Sequence, residues 1–255
     1  MSTVTSSKPT FSLPTWRPLE QDGVVYPDSD GKPMAESTAQ FRYLTTIKLG
    51  LDGLFADQDD VFVAGDIFWY PVKGRPEINV APDVLVAFGP PKGERRSYRQ
   101  WDEGDIAPHV VFEMISRSNR DEAMGEKFRF YERYGVDEYY TYNPDNGELL
   151  GWTRAGEALR PIENLRGWVS PRLKVRFELD GIRLSLYDQS GEVFVQSDRV
   201  YADVKRHRRL AEREQARADQ EQARADQERS RADQERSRAD RLAERLRALG
   251  FDPEP

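Results

Sequence analysis

The spacing of apolar side chains predicts a helix near the start of the globular part of the chain. Between residues 36 and 56, apolar side chains recur at steps of three and four, which places them on one face of an α-helix. They are Phe41, Leu44, Ile47, Leu51, Leu54 and Phe55. Ser37 or Thr38 occupies the position of a helix cap. We therefore expect a helix that begins there and packs one face on a core.

Three short apolar runs follow this helix. They are VFVAGDIFWY from Val61, DVLVAF from Asp83 and HVVFEMI from His109, and segments rich in Gly, Pro and charged residues separate them. Runs of this length, bounded by such segments and rich in β-branched and aromatic side chains, are typical of β-strands. We therefore predict three strands in this part of the chain.

Helical spacing returns over residues 120–134 and ends at Gly135, a residue type that often closes a helix. The run DEYYTYN then predicts a fourth strand, and NPDNG at residues 143–147 predicts a hairpin turn into the strand ELLGWTR. Further short strands are predicted near residues 158–163, 173–178 and 182–187. The order of these elements predicts an α/β (α+β) domain with a mixed sheet and helices packed on it.

The last part of the chain has a different pattern. From Glu214 the sequence repeats EQARADQ, EQARADQ, ERSRADQ and ERSRADR, and this seven-residue period lines alanines along one helix, with Leu246 next in the series. The alanines are Ala211, Ala218, Ala225, Ala232 and Ala239. Because alanine buries little surface, two interpretations stay open: a self-supporting charged helix that acts as a spacer, or a weak coiled coil with a second copy of the chain.

These patterns divide the chain into four segments. We predict an irregular leader over residues 1–35, a globular domain over 36–200, a charged helix over 201–249 and a short tail over 250–255. The leader lacks a basic flank followed by an apolar stretch, so it does not indicate a signal peptide. No apolar run is long enough to cross a bilayer. We therefore expect a cytoplasmic protein that does not bind membranes.

Composition restricts the chemistry that the chain can perform. Hydrophobic residues make up 38% of its 255 residues, which is enough to build a core. The chain has no Cys and only two His, so disulfides, thiolate metal sites, a histidine zinc site and a Ser-His-Asp triad are all disfavoured. Any metal ion must then be bound by oxygen ligands.

Charge is unevenly distributed along the chain. The net charge is −7, yet residues 203–249 carry 14 basic and 11 acidic side chains, whereas residues 1–202 carry 24 basic and 32 acidic ones. An acidic body repels nucleic-acid phosphate at long range. Tight non-specific DNA binding is therefore not expected unless basic residues cluster or a divalent cation bridges the two.

Two acidic residues in apolar surroundings are the candidates for chemistry. Glu113 interrupts the apolar run VVFEMI, where an ionised carboxylate costs several kcal/mol unless a positive group meets it. Asp83 follows Pro82 at the head of VLVAF. Carboxylates from adjacent strands can converge on one magnesium ion, which takes oxygen ligands and suits phosphate chemistry. The alternative is an ion pair with Lys127 or an arginine and no catalysis.

Several motifs occur together in a fixed order. They are Ala81-Pro82-Asp83, Glu113-Met114-Ile115-Ser116-Arg117-Ser118, Lys127 with Tyr131 in a helix, and Tyr134-Gly135-Val136-Asp137-Glu138-Tyr139-Tyr140. In this order the motifs resemble the Uma-two family of restriction endonucleases, a bacterial branch of the PD-(D/E)XK nuclease superfamily, over roughly residues 30–190. The resemblance implies a restriction-endonuclease-like fold, in which helices flank a central mixed sheet. Arg117 departs from the family pattern, which has proline there.

The resemblance also implies roles for individual residues. Asp83 and Glu113 match the metal ligands for Mg²⁺ or Mn²⁺. The usual lysine position, two residues after the glutamate, holds Ile115, and the resemblance gives that role to Lys127. Glu36 matches an acid that sometimes completes such sites.

Two further residues are additional candidates, each with a structural alternative. Tyr131 lies one helical turn after Lys127 and could hydrogen-bond within the site, or it is a tyrosine of the core. Asp66 is another acid in an apolar strand, and the alternative for it is an edge or salt-bridged aspartate.

Two functions from different classes follow. The first is a magnesium-dependent endonuclease that hydrolyses DNA phosphodiester bonds, as a homodimer if both strands are cut. The second is a catalytically inactive protein that keeps the nuclease fold and binds a protein partner through the helix at residues 203–249.

Overall fold

Residues 19–27, 37–115 and 121–248 are described by a computed structural model of the chain. Contacts divide the chain into two units, Met1–Ser197 and Asp198–Pro255. The predicted boundary between body and tail helix, at residue 200, lies close to this division. In the described part of the chain, no helix is long and apolar enough to cross a membrane.

In its described residues the body contains twelve strands, two α-helices and a short 3-10 helix (Gln100–Glu103). The helices are α1 (Thr38–Leu54) and α2 (Asp121–Arg133). The strands are β1 (Leu19–Gln21), β2 (Val24–Tyr26), β3 (Val61–Gly65), β4 (Phe68–Tyr70), β5 (Val84–Phe88), β6 (Ser97–Arg99), β7 (Val110–Met114), β8 (Glu138–Tyr142), β9 (Leu149–Ala155), β10 (Ala158–Pro161), β11 (Arg176–Asp180) and β12 (Arg183–Tyr187).

Six of these strands form the central sheet, in the order β10-β9-β8-β7-β5-β3. Neighbouring strands are antiparallel except β7 and β8, which are parallel. A parallel pair needs a crossover connection, and α2 lies in the chain between these two strands. The mixed sheet with helices and the α+β class predicted from the sequence are thus confirmed.

Both faces of the sheet are covered, which explains the continuous apolar runs of its central strands. Phe112 and Met114 of β7 belong to one core cluster together with Leu51 of α1. Val111 belongs to the other cluster, which contains Tyr131 of α2. Successive residues of a strand point to opposite faces, and burying each large apolar side chain contributes about 1.5–3 kcal/mol. The α1 face and the α2 face of the sheet are therefore distinct environments.

Helix α1 begins where its cap was predicted, because the Ser37 side chain accepts a hydrogen bond of 3.1 Å from the backbone of Gln40. The prediction that Phe41 belongs to the buried stripe is wrong, since Phe41 is 49% exposed. Gln40 is buried in its place, and its amide Nε2 donates to the carbonyl of Met114 at 2.8 Å. The polarity of this glutamine concealed its position on the buried face.

Two further predictions differ from the structure. The run VFVAGDIFWY is not one strand, because it breaks after β3 at Asp66, whose φ of +50° is left-handed. After the break, β4 leaves the central sheet and pairs in parallel with β6.

The irregular leader predicted for residues 1–35 contains a hairpin, in which β1 and β2 pair around a turn at Asp22 and Gly23. Both turn residues have positive φ, the conformation that tight hairpin turns require. An aromatic contact anchors the hairpin, with the Tyr26 and Tyr70 rings 5.2 Å apart.

Helix α3 (Ser197–Ala248) is the predicted tail helix, and 52 residues make it the longest element described. Exposed ion pairs join successive turns, such as Arg208–Glu212 at 3.0 Å and Arg217–Glu221 at 3.4 Å. Pairs of this kind contribute a few tenths of a kcal/mol each to an isolated helix.

Candidate active site

Strand pairing brings the two predicted acids next to each other. Val84 of β5 lies opposite Phe112 of β7 in an antiparallel pair. Asp83 precedes Val84 and Glu113 follows Phe112, so the same register continues to these two residues. The backbone N–H of Met114 donates to Oδ2 of Asp83, which ties the aspartate to the end of β7.

The alignment extends to the strands on either side. Glu113 lies opposite Thr141 in the parallel pair of β7 and β8. Asp66 directly follows β3, and its backbone N–H donates to the carbonyl of Asp83 at 3.2 Å. Asp66, Asp83, Glu113 and Thr141 therefore form a polar row across four adjacent strands.

The row lies on the α2 face of the sheet. Glu113 alternates with Phe112 and Met114, which belong to the cluster on the α1 face, so its side chain points to the other side. Two side chains of α2 reach it, those of Lys127 and Tyr131. The predicted site is thus built from the centre of the sheet and one helix.

Glu113 is 1% exposed, and its carboxylate has three hydrogen bonds from α2. Lys127 Nζ donates to both carboxylate oxygens at 2.8 Å, and the Tyr131 hydroxyl donates to Oε1 at 2.5 Å. Lys127 and Tyr131 are four residues apart, a spacing that places both on one helix face. The Lys127 side chain remains 31% exposed, so its amine lies between the buried carboxylate and solvent.

The two carboxyls and the lysine change each other's protonation. Burial, together with the negative charge of Glu113, raises the pKa of Asp83 to about 8, although the Met114 N–H and the Lys127 ammonium oppose the rise. Burial lowers the pKa of Lys127, but the charges of Glu113, Asp83 and Asp66 outweigh burial and raise it above the usual value. Lys127 is therefore protonated at neutral pH, and Asp83 holds a proton in the absence of further positive charge.

Most of the predicted site residues come together. Asp83, Glu113 and Lys127 meet in one place, and Tyr131 is both a buried core tyrosine and a hydrogen-bond donor to Glu113. The charge of Asp66 acts on Asp83 and Lys127, which places this acid near the site. Glu36, and likewise the residues at 116–118 that carried part of the resemblance, lie outside the described residues.

Two neighbours of the site were not predicted from the sequence. Tyr139 and Thr141 lie on β8 facing α2, and their hydroxyls are buried with no hydrogen-bond partner among the described residues. In the sequence they are indistinguishable from ordinary strand residues, because aromatic and β-branched side chains are common in strands.

The donor set fits a hard divalent cation such as magnesium. In the described ranges no group of three or more His, Cys, Asp or Glu side chains is arranged to hold a metal ion. Magnesium, however, keeps several waters and binds proteins through one or two carboxylates. Asp83 and Glu113 supply two carboxyls side by side. The raised pKa of Asp83 keeps its carboxyl protonated at neutral pH unless a further positive charge lies beside it.

The mixed sheet, the flanking helices and the pair of adjacent carboxyls with their lysine define a restriction-endonuclease-like α+β protein. The family model described as "Uma2: Putative restriction endonuclease" matches residues 18–186, which is more than half of the chain. The protein therefore belongs to the Uma2 family, in agreement with the resemblance seen in its motifs. A comparison with curated proteins found no match.

The solved structures that are similar to this chain include that of a protein from Anabaena variabilis, described as "a putative nuclease belonging to DUF820". The two chains are 13% identical, the alignment covers 60% of this chain and 81% of that one, and the TM-score is 0.42.

Proposed function

We propose that the protein is a magnesium- or manganese-dependent endonuclease that hydrolyses phosphodiester bonds of DNA. One observation carries the proposal: among the described residues two carboxyls, those of the half-buried Asp83 and the buried Glu113, meet one ammonium group, that of Lys127. An ion pair that only stabilised the fold would need one carboxylate. A second carboxyl is present in Asp83, and its pKa is raised to about 8. This carboxyl lowers the stability of the folded protein at neutral pH unless a further cation binds beside it.

Each residue has a distinct role in the proposed reaction. Asp83 and Glu113 would hold the cation, which would polarise a phosphoryl oxygen and lower the pKa of a water molecule. Lys127 turns from Glu113 towards the substrate, where its ammonium orients the attacking water or offsets the charge that develops on the phosphoryl group. Tyr131 keeps its hydrogen bond to Glu113 and so fixes the carboxylate while Lys127 moves.

The reaction is a hydrolysis without a covalent enzyme intermediate. The water oxygen forms a bond to phosphorus, and the bond from phosphorus to one sugar oxygen breaks. The leaving oxygen keeps the electron pair and takes up a proton, while the attacking water releases one. The products are a phosphomonoester and an alcohol.

Charge also bears on how the protein would meet DNA. The body carries more acidic than basic side chains, so a divalent cation at Asp83 and Glu113 would supply attraction to phosphate that the body itself lacks. We propose that cutting of both strands requires two copies of the chain, and that α3 joins them as a weak coiled coil. We also propose that the protein is cytoplasmic, which accords with a DNA substrate.

Plasmid cleavage tests the proposal. Purified protein with magnesium or manganese should nick supercoiled DNA, whereas Asp83→Ala and Glu113→Gln should not, with the fold checked by circular dichroism. Glu126→Gln is the matched control, since Glu126 is an exposed acid of α2 directly before Lys127. Cleavage at the full rate by both site variants would contradict the proposed site.

A second function, an inactive nuclease fold that recruits a protein partner through α3, is favoured by one observation. Helix α3 is 52 residues long and its described side chains are largely exposed. It therefore offers a large surface on which a partner protein could bind. This function predicts that wild-type protein binds no divalent cation at millimolar concentration and leaves plasmid DNA intact.

A further inference from the structure

Two buried hydroxyls lie at the edge of the carboxyl site without hydrogen-bond partners in the part of the chain that the structure describes. Tyr139 is 1% exposed and Thr141 is 2% exposed. Buried hydroxyl groups in proteins are nearly always hydrogen-bonded, to protein or to an ordered water, because leaving them unpaired destabilises the fold. A pair of such groups on one strand therefore requires an explanation.

Both hydroxyls belong to the environment of the two carboxyls. Thr141 is the residue opposite Glu113 in the sheet. Tyr139 precedes it by two residues and so faces the same side, with its ring 4.9 Å from the Tyr131 ring. Burial, with the added charges of Glu113 and Asp83, raises the pKa of Tyr139 far above its usual value. Its hydroxyl thus stays protonated and is available to donate.

The other face of β8 shows that unpaired hydroxyls are not a general feature of this strand. Tyr140 points towards the α1 face, donates to Glu138 at 2.9 Å and accepts from the indole N–H of Trp168 at 3.0 Å. Ser170, from a nearby loop, also donates to Glu138. Every hydroxyl of this neighbouring network is hydrogen-bonded, whereas the two on the site face have no partner among the residues that the structure describes.

We propose that Tyr139 and Thr141 bind a water molecule against Glu113 and hold it as part of the hydrolytic site. A buried water usually makes about three hydrogen bonds, and a phenol, a threonine hydroxyl and a carboxylate oxygen supply that number. The hydroxyls act through the water, so both are positioning residues. Binding of the water is inferred from the burial of the two hydroxyls, their lack of partners among the described residues and the position of Thr141 opposite Glu113, while its part in hydrolysis rests on the proposed function.

Substitutions that remove only the hydroxyls separate a positioning role from a structural one. Tyr139→Phe and Thr141→Val keep the shape of each side chain and remove one polar atom. If the hydroxyls hold a catalytic water, kcat should fall about 10- to 100-fold in each variant. Losses of this size are typical when residues that hydrogen-bond to metal ligands are replaced. KM should change little, because neither buried hydroxyl reaches the DNA.

Ser97→Ala is the matched control. Ser97 lies on β6, outside the polar row, and its buried Oγ also lacks a partner within the described segments. This variant should retain both the thermal stability and the kcat of the wild type. If Tyr139→Phe and Thr141→Val behave like Ser97→Ala, with stability and kcat both retained, the catalytic role is overturned.

A high-resolution crystal structure of the full metal-free chain tests the water site directly. The proposal requires an ordered water within hydrogen-bond distance of the Tyr139 hydroxyl, Thr141 Oγ1 and a Glu113 oxygen. The absence of density there, or a protein group bonded to both hydroxyls, overturns it. This result does not depend on activity, so a protein that binds the water but does not cut DNA would contradict the proposed function and leave the water site standing.

Discussion

Two glutamates on neighbouring strands are equally buried and have different surroundings. Glu113 on β7 is 1% exposed and Glu138 on β8 is 2% exposed. Glu113 faces α2 and receives hydrogen bonds from Lys127 and Tyr131. Glu138 belongs to the α1 face, where Ser170, Tyr140 and the backbone N–H of Arg172 donate to it.

The difference lies in whether the partners can move. The donors to Glu138 are a backbone amide and two short or rigid side chains, and the Arg172 N–H lies 2.6 Å from Oε1. The main partner of Glu113 is a lysine, whose long side chain is partly exposed and can leave. A second carboxyl, that of Asp83, also lies beside Glu113, and the two interact by charge. Burial of a glutamate therefore does not by itself set the candidate site apart, whereas a partly exposed lysine and a neighbouring acid do.

The largest effect is expected from Glu113→Gln. Losing the charge that holds the cation should lower the cleavage rate by at least about 100-fold, since electrostatic groups at reacting centres contribute that much or more. Single-turnover cleavage of a short duplex measures the rate. Glu126→Gln should cut at the wild-type rate, and a similar loss in that control would show that the effect is not specific to the site.

Glu138→Ala should affect stability instead. The substitution leaves buried donors, including the Arg172 N–H and the Ser170 hydroxyl, without an acceptor, which should reduce the free energy of unfolding by about 3 kcal/mol. Urea denaturation measures this change. The folded variant should still bind divalent cations as the wild type does. Weakened metal binding with unchanged stability would reverse the roles assigned to the two glutamates.

The pKa of Asp83 predicts a pH dependence of stability. Its folded-state pKa of about 8 exceeds the ordinary value of 3.8. Between these values the folded state holds a proton that the unfolded state has lost, so this group makes the metal-free protein less stable as pH rises from about 4 to 8.

Asp83→Asn should remove this contribution, because asparagine does not titrate. Melting temperatures measured with chelator from pH 5 to 9 should fall less steeply for the variant than for wild type, so that the variant gains relative stability at high pH. Parallel curves would show that Asp83 ionises normally in the folded protein.

The smallest effect is expected in α3. Arg217 pairs with Glu221 in the same i,i+4 manner as Arg208 with Glu212, and the side chains of Arg217 and Glu221 are 82% and 69% exposed. Solvent screens such a pair, so Arg217→Ala should change the free energy of unfolding of α3 by less than about 0.5 kcal/mol. Helicity by circular dichroism on heating measures this. A large loss of helicity would indicate that this surface has a partner in solution.

The sequence was sufficient for the helices and the central strands, because these depend on local patterns, and together with the family resemblance it named the residues that meet at the candidate site. The sequence shows that Glu113 is a carboxylate inside an apolar run. It also shows that Lys127 lies one helical turn from Tyr131. The register between strands is not visible, so the placement of Thr141 opposite Glu113 could not be predicted. Glu138 was missed for the same reason, since its donors come from a distant loop.

Backbone conformation accounts for the other differences. A left-handed residue such as Asp66 can end a strand in a run that otherwise favours strand continuation. The β1–β2 hairpin is held by aromatic contacts with residues far along the chain, and these are invisible in a polar, proline-rich segment.

Calorimetric titration of magnesium into the wild-type protein, Glu113→Gln and Glu126→Gln tests the central claim most directly, because it requires no substrate. Two carboxyls that share one cation predict a single site in the wild type and in Glu126→Gln, and binding at least about tenfold weaker in Glu113→Gln. Equal affinity in all three proteins, or no binding to any of them, would contradict the claim that Asp83 and Glu113 form a metal site.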